Sequence, residues 1–178
     1  AYSTDGNTWT QAATPSFSVA IRGIVYSDSK FVAVGNDGEI SYSTDADTWT
    51  QAATPSFGID DIYEVTYGNG KFVAVGKNGT ITISSTPNSS WSNVNVGSDI
   101  NLNKVIWSSV ANLCIAVGDN GKIFTSSTGN TWVDNSLAIL DNLYSICEND
   151  SMVIVIGQNR RVLTSINGTS WSGSGSTS

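Results

Sequence analysis

Histidine is absent from the chain, and only two cysteines occur, Cys114 and Cys147. Without histidine there is no Ser-His-Asp triad, and without a Cys/His cluster there is no zinc site of the usual donor set. Charged residues are scarce at 13%, with 8 basic against 15 acidic side chains and a net charge of −7. The lone basic pair, Arg160-Arg161, makes no patch that could release counterions from a polyanion, so nucleic acid and anionic membrane surfaces are excluded as partners. No apolar run approaches the ~20 residues that span a bilayer, so membrane insertion is excluded as well. No secretory leader is visible, and the opening AYSTDG starts in mid-motif without Met, as in a processed chain or a segment of something longer. The cysteines lie in the apolar runs LCIAVG and LYSICE. Buried free thiols are expected there, and a disulfide between neighbouring repeats is the alternative that spacing leaves open.

What the sequence has in abundance is a repeat. Trp recurs at 9, 49, 91, 132 and 171, and a Gly closing an apolar run recurs at 35, 76, 118 and 157, both in steps of 39 to 42 residues. Residues 2–17 and 42–57 differ only by Gly6 against Ala46 and Asn7 against Asp47. Two independent markers with one period define a tandem array.

Each repeat reads as four short strands. In residues 20–54, GIVYS (23–27) is strand A, FVAVG (31–35) strand B, EISYS (39–43) strand C and TWTQAA (48–53) strand D. The turn Asn36-Asp37-Gly38 between B and C uses residues that tolerate positive φ. Strand B is apolar at nearly every position, which means that both of its faces are covered. The most helix-like stretch, LAILDNLYSI (137–146), falls where other repeats place a loop and strand A. Sheets of four strands stacked face to face with a ~40-residue period give an all-β fold, a β-propeller of antiparallel blades. A β-sandwich and a β-solenoid are the weaker alternatives. The expected layout is a C–D hairpin at 2–13, blades at about 20–54, 61–95, 102–134 and 141–172, and a Gly/Ser-rich tail at 172–178. That makes about four and a half blades. The half blade has no A–B partner, so the chain is expected to leave an open arc or to belong to a larger propeller.

The C–D turns carry a motif. It reads Ser3-Thr4-Asp5-Gly6-Asn7-Thr8-Trp9, then Ser43-Thr44-Asp45-Ala46-Asp47-Thr48-Trp49. The third copy runs Ser85 to Trp91 with Pro87 in place of Asp, the fourth ends on Trp132 with Thr128 there, and the fifth has Asn167 between Ser165 and Trp171. An Asp or Asn side-chain oxygen at that place accepts N–H groups two and three residues on, and the Trp packs beside the turn. The motif resembles the Asp-box (BNR-type) repeat of sialidases, sortilin-type receptors, some glucan hydrolases and photosystem assembly factors. The resemblance implies a propeller in which these turns lie opposite the ligand face, so Asp5 and Asp45 are expected to be structural. It also implies what sialidase chemistry would need, an arginine cluster, a Tyr–Glu nucleophile pair and an F/Y-R-I-P motif. The chain has only Arg22, Arg160 and Arg161, only Glu39, Glu64 and Glu148, and no such motif. No catalytic residue and no enzymatic activity are expected.

Function is expected from the loops joining D to the next A, at 15–22, 55–64, 95–103 and 135–142, which vary most between repeats. Candidate ligand contacts are the strand-A aromatics Tyr26, Tyr67 and Trp107 and the acidic group Asp60, Asp61 and Glu64. A solvated loop is the plain reading of that group, and Ca²⁺ is the alternative occupant; no other cofactor or metal is expected. Sequons begin at Asn78, Asn88, Asn149 and Asn167. The expected role is a non-enzymatic recognition or adhesion module, for a glycan or a protein partner, on a secreted or surface-displayed protein. The rival roles are a structural component of a virion, phage tail or surface layer, and, third, a glycan-processing hydrolase.

Overall fold

The computed structural model describes residues 1–13, 17–52, 60–97 and 99–174. It contains four four-stranded antiparallel sheets, each formed by consecutive strands without crossover. Blade 1 holds β1 (Ile21–Ser27), β2 (Lys30–Gly35), β3 (Ile40–Ser43) and β4 (Thr50–Gln51). Blade 2 holds β5 (Ile62–Gly68), β6 (Lys71–Gly76), β7 (Thr80–Ser84) and β8 (Ser92–Asn95). Blade 3 holds β9 (Leu102–Ser108), β10 (Leu113–Gly118), β11 (Ile123–Ser126) and β12 (Val133–Asp134). Blade 4 holds β13 (Leu143–Glu148), β14 (Val153–Gly157), β15 (Val162–Ser165) and β16 (Ser172–Ser174). The first strands β1, β5, β9 and β13 lie side by side in that order. The fold is a β-propeller of four blades preceded by half of another.

The blades are held by apolar seams. Val32, Val34 and Ile40 of blade 1 meet Ile62, Val65, Phe72, Ala74 and Trp91 of blade 2. Val73, Val75, Ile81 and Ile83 meet Leu102, Val105, Cys114, Ala116 and Phe124 across the next seam. Ile115, Val117 and Ile123 meet Leu143, Ile146, Val153, Val155 and Leu163 across the third. Successive residues of the second strand thus serve different seams, which is why it is apolar at every position. Burying one such side chain is worth about 1.5–3 kcal/mol, so a seam outweighs any single turn bond. Among the described residues, no apolar cluster joins blade 4 back to blade 1.

The Gly that ends each second strand is extended, and its reason is steric. A Cβ at Gly35, Gly76, Gly118 or Gly157 would lie 2.1–2.4 Å from the carbonyl oxygen of Ala20, Asp61, Asn101 or Asn142. Those same oxygens accept the N–H of Asn36, Lys77, Asp119 and Gln158. The turn that follows places Asp37, Asn78, Asn120 and Asn159 at φ of 53–55°.

The S-x-D turns form as the motif requires. Asp5 Oδ1 accepts the N–H groups of Asn7 and Thr8 at 2.8 Å, and Ser3 Oγ accepts that of Gly6 at 2.9 Å. Ser43 with Asp45 and Ser165 with Asn167 repeat the pattern. The bonds from Thr8 and Asn7 lower the Asp5 carboxyl to about 2, and those from Thr48 and Asp47 lower that of Asp45. The indole N–H of Trp49 donates to Ala46 O at 3.1 Å and that of Trp132 to Gly129 O at 2.7 Å. Trp91, Trp132 and Trp171 each pack into the seam with the preceding blade.

Four sequence expectations change. The third turn starts at Ser84, not Ser85: Ser84 pairs with Phe72 as Ser43 pairs with Phe31, and its Oγ donates to Thr86 O. One inserted residue therefore separates it from Trp91, and Thr86 rather than Pro87 stands at the Asp position. The start of the 172–178 tail is strand, since Ser172, Gly173 and Ser174 pair with Thr164, Leu163 and Val162; residues 175–178 lie outside the described residues. The fourth strands are shorter than the expected TWTQAA, with β4 limited to Thr50–Gln51 and residue 53 outside the described residues. Both cysteines are free; Cys114 is buried, which pushes its thiol up to about 12, but Cys147 is exposed on the far face of blade 4.

Two measurements check this account. Trp91→Ala should cost about 3–5 kcal/mol in equilibrium unfolding, while Trp9→Ala should cost less than about 1 kcal/mol. Equal costs would contradict the assignment of Trp91 to a seam. Asp5 and Asp45 bind protons less readily when folded, so their contribution is present above the unfolded value of 3.8 and is lost as pH falls toward about 2. The urea midpoint should fall over that window, and fall less in the Asp5→Asn, Asp45→Asn variant, which keeps the acceptor as Asn167 does. An equally steep fall in the variant would locate the acid sensitivity elsewhere.

Candidate functional site

The first strand of every blade carries the same irregularity. The register shifts between Ile21 and Gly23, between Ile62 and Glu64, and between Leu143 and Ser145, and in β9 Leu102 and Lys104 pair with successive residues of β10. Arg22, Tyr63, Asn103 and Tyr144 are thereby left out of the ladder. A bulge re-aims the side chain of the extra residue. All four stand at the start of the inner strands, on the face that carries the D–A and B–C connections.

Arg22 and Tyr63 are tied to each other across blades 1 and 2, and Asn103 is tied to blade 4. The Arg22 guanidinium lies 5.3 Å from the Tyr63 ring centroid, and its Nη2 is 3.6 Å from Asp61 Oδ2. Arg22 Nε also donates to Asn36 Oδ1. Asp61 Oδ1 accepts the N–H of Asp37, so one carboxylate joins blades 1 and 2. Burial, and after it the Asp61 charge, raises the Tyr63 phenol above its ordinary 10, which keeps it a neutral donor. Asp119 accepts from Asn101 at 2.9 Å and from Asn103 at 3.0 Å, and Asn103 also donates to Leu143 O of blade 4 at 2.9 Å. Arg22, Tyr63, Asn101, Asn103 and Asp119 line an open cavity of about 360 Å³. The mouth of the array is thus a polar basin lined by one cation, one carboxylate, two amides and a phenol from blades 1 to 3, with Asp61 ion-paired to the cation at its edge. Beside it Asp141 is held by Arg161 and Asn159, each at 2.7 Å, and these bonds, Arg161 foremost, lower its carboxyl.

The candidates read from the sequence are not gathered at one place. Asp61 reaches the basin only through its ion pair with Arg22, and Asp60 accepts from Asn78 at 3.0 Å. Glu64 lies deeper, buried against Gly23 and paired with Lys104 of blade 3. The three acids therefore engage separate partners, and among the described residues no group of three His, Cys, Asp or Glu is arranged to hold a metal. Tyr26, Tyr67 and Trp107 sit at the other end of the inner strands, beside the S-x-D turns. Tyr67 packs on Phe72 with ring centroids 4.7 Å apart and Trp107 lies over Gly68, so both serve seams, while Tyr26 is exposed. Parts of the D–A loops, at 15–16, 55–59 and 98, lie outside the described residues. The D–A loops expected to carry function, at 15–22, 55–64 and 95–103, contain Arg22, Tyr63, Asn101 and Asn103, but sequence reasoning singled out none of them and missed Asp119 and Tyr144 outright. The one available signal was positional, because the residue after each first apolar residue of strand A is large or polar in all four repeats.

Comparison with known proteins follows the architecture. The family model for the DUF6242 beta propeller domain matches residues 1–103. No curated protein matches the chain in sequence. The structure of YCF48 from Cyanidioschyzon merolae superimposes with a TM-score of 0.69 at 16% identity, over 94% of this chain and 60% of that one. YCF48 bound to D1 peptide gives 0.67 at 16% identity, over 94% and 57%. An ancestral GH74 enzyme gives 0.69 at 19% identity, over 90% and 25%. At these identities the likeness is one of fold alone. The chain spans about 60% of the length of the YCF48 chain it matches.

Proposed function

The chain belongs to the DUF6242 beta propeller domain family, and from that premise we propose that it is a non-enzymatic recognition module that holds a polypeptide segment at the bulge-lined mouth. The repeats are of the Asp-box type in this reading, with the S-x-D turns as structural clips on the opposite face. The observation that carries it is the repeated bulge, which takes one side chain per blade out of the sheet and aims Arg22, Tyr63 and Asn103 toward a common basin. A peptide main chain offers alternating donors and acceptors, and the basin offers both kinds from fixed positions. The Arg22 guanidinium, 5.3 Å from the Tyr63 ring centroid, adds a charged surface. YCF48, similar in fold, is described as binding a D1 peptide, which is in keeping with a protein partner.

Catalysis is a weaker reading of the same basin. Glycoside hydrolysis needs two facing acids with room for the sugar and water between them. Asp61 and Asp119 instead take hydrogen bonds from neighbouring groups, and Asp119 spends both oxygens on Asn101 and Asn103.

The test is a peptide array probed with the purified chain, with a glycan array and fluorogenic glycosides alongside. Peptides should be bound, and Arg22→Ala or Tyr63→Ala should weaken the binding at least about tenfold without lowering the melting temperature. Peptide binding indifferent to both substitutions, capture of glycans instead, or turnover of a glycoside would contradict the proposal.

A further inference from the structure

One charge in the basin has no counter-charge. Arg22 is matched by Asp61, with Nη2 3.6 Å from Oδ2, and its Nε donates to the neutral Asn36. Glu64 of blade 2 pairs with Lys104 of blade 3, and in blade 4 Asp141 pairs with Arg161. Asp119 lines the cavity and, among the described residues, takes part in no ion pair. Its side-chain partners are two amides, Asn101 at 2.9 Å on Oδ2 and Asn103 at 3.0 Å on Oδ1.

The repeat shows how this charge arises. Asn36, Lys77, Asp119 and Gln158 open the B–C turns of the four blades. In blades 1 and 3 the bulged residue donates to the turn residue, Arg22 to Asn36 and Asn103 to Asp119. Blade 1 thus sets a cation on a neutral acceptor, and blade 3 sets an anion on a neutral donor. The cation of blade 1 finds Asp61, and the anion of blade 3 finds no cation. Each Asp119 oxygen takes one side-chain N–H, and a carboxylate oxygen has room for two, so both can take a further donor. The two amides also fix the orientation of the carboxylate, so an incoming group meets it already in place. The net charge of −7 gives the chain a field that favours a cation over an anion. Arg22 does not oppose a cation at Asp119, because Asp61 already balances it.

Resting on the reading of the mouth as a polypeptide site, we infer that Asp119 selects segments that carry a basic side chain, whose Lys ammonium or Arg guanidinium enters the basin and pairs with the Asp119 carboxylate. The open cavity of about 360 Å³ admits one such side chain. Asn101 and Asn103 act as positioning residues that hold the carboxylate for it. A glutamate or aspartate at the same place in the segment would meet Asp119 as a like charge and is rejected.

The experiment probes the full chain with an array of N-acetylated, C-amidated nonapeptides of varied sequence, in which Lys and Arg side chains supply the cations. Bound peptides should be enriched in Lys and Arg, and replacing that residue by Gln should weaken binding at least about tenfold. Asp119→Asn, which keeps the shape of the side chain, should shrink the Lys-to-Gln ratio to less than about twofold while neutral peptides bind as before. Asp37→Asn removes an exposed acid outside the cavity and should leave the ratio unchanged. An NMR titration of the unaltered chain gives a second readout: Nα-acetyl-lysine methylamide should shift the side-chain NH2 signals of Asn101 and Asn103, and Nα-acetyl-glutamine methylamide should not. Peptide binding without enrichment in Lys and Arg, a ratio that survives Asp119→Asn or falls equally with Asp37→Asn, equal weakening of basic and neutral peptides by Asp119→Asn, or NMR signals indifferent to the lysine probe would overturn the inference and leave the peptide reading standing. An array that binds no peptide would overturn the peptide reading and this inference with it.

Discussion

Face-to-face contact between successive sheets is the constraint on which everything else rests. A four-stranded sheet of two- to seven-residue strands cannot bury its faces alone, and each blade here is stable because a neighbour covers it. That demand fixes the near-continuous apolarity of FVAVG, CIAVG and VIVIG. It also fixes the Gly that follows, since the chain must turn against the carbonyl that leads into the inner strand. The S-x-D turn is secondary. It locks the hairpin that delivers a Trp to the seam, and it tolerates Asn167 or Thr128 because an oxygen in the right place is all it needs.

The mouth shows how a repeated scaffold acquires chemistry without losing its seams. A bulge at one position per blade frees a side chain from the ladder while the residues on either side keep pairing. The seams then see Ile62, Leu102 and Leu143, all apolar, and the mouth sees Arg22, Tyr63, Asn103 and Tyr144, all different. Variation is confined to the one register position that packing does not police. The charges there are cross-braced between blades, Asp61 by Arg22 and the Asp37 N–H, which makes the basin a fixed surface.

Much of this was legible in the residues, and the failures have physical causes. Strand identity and turn placement followed from apolar runs broken by Asn, Asp and Gly, because those residues alone enter the left-handed region cheaply. The turn at Ser84 was displaced by one because an insertion before Trp91 shows only when Ser84 is seen opposite Phe72. The face was legible, since the D–A loops contain Arg22, Tyr63, Asn101 and Asn103, but the individual residues were not: a bulge leaves no mark in composition, and its residues lie about 40 positions apart in the chain. Tyr67 and Trp107 drew attention as strand-A aromatics able to stack on a ligand, and the structure gives them the commoner role of packing, because a propeller places that end of the inner strand in a seam. Cys147 is exposed because, among the described residues, nothing covers its side of blade 4, which no local pattern encodes.

If seams set stability, protection must follow the number of seams a blade has. Native-state amide hydrogen exchange reads this directly, residue by residue. Strands β6 and β10, in blades covered on both faces, should exchange slowest, and β2 and β14, each in a blade lacking one full seam, faster, with the Tyr2–Thr10 hairpin fastest. Uniform protection across β2, β6, β10 and β14, or the slowest exchange in β14, would contradict the account.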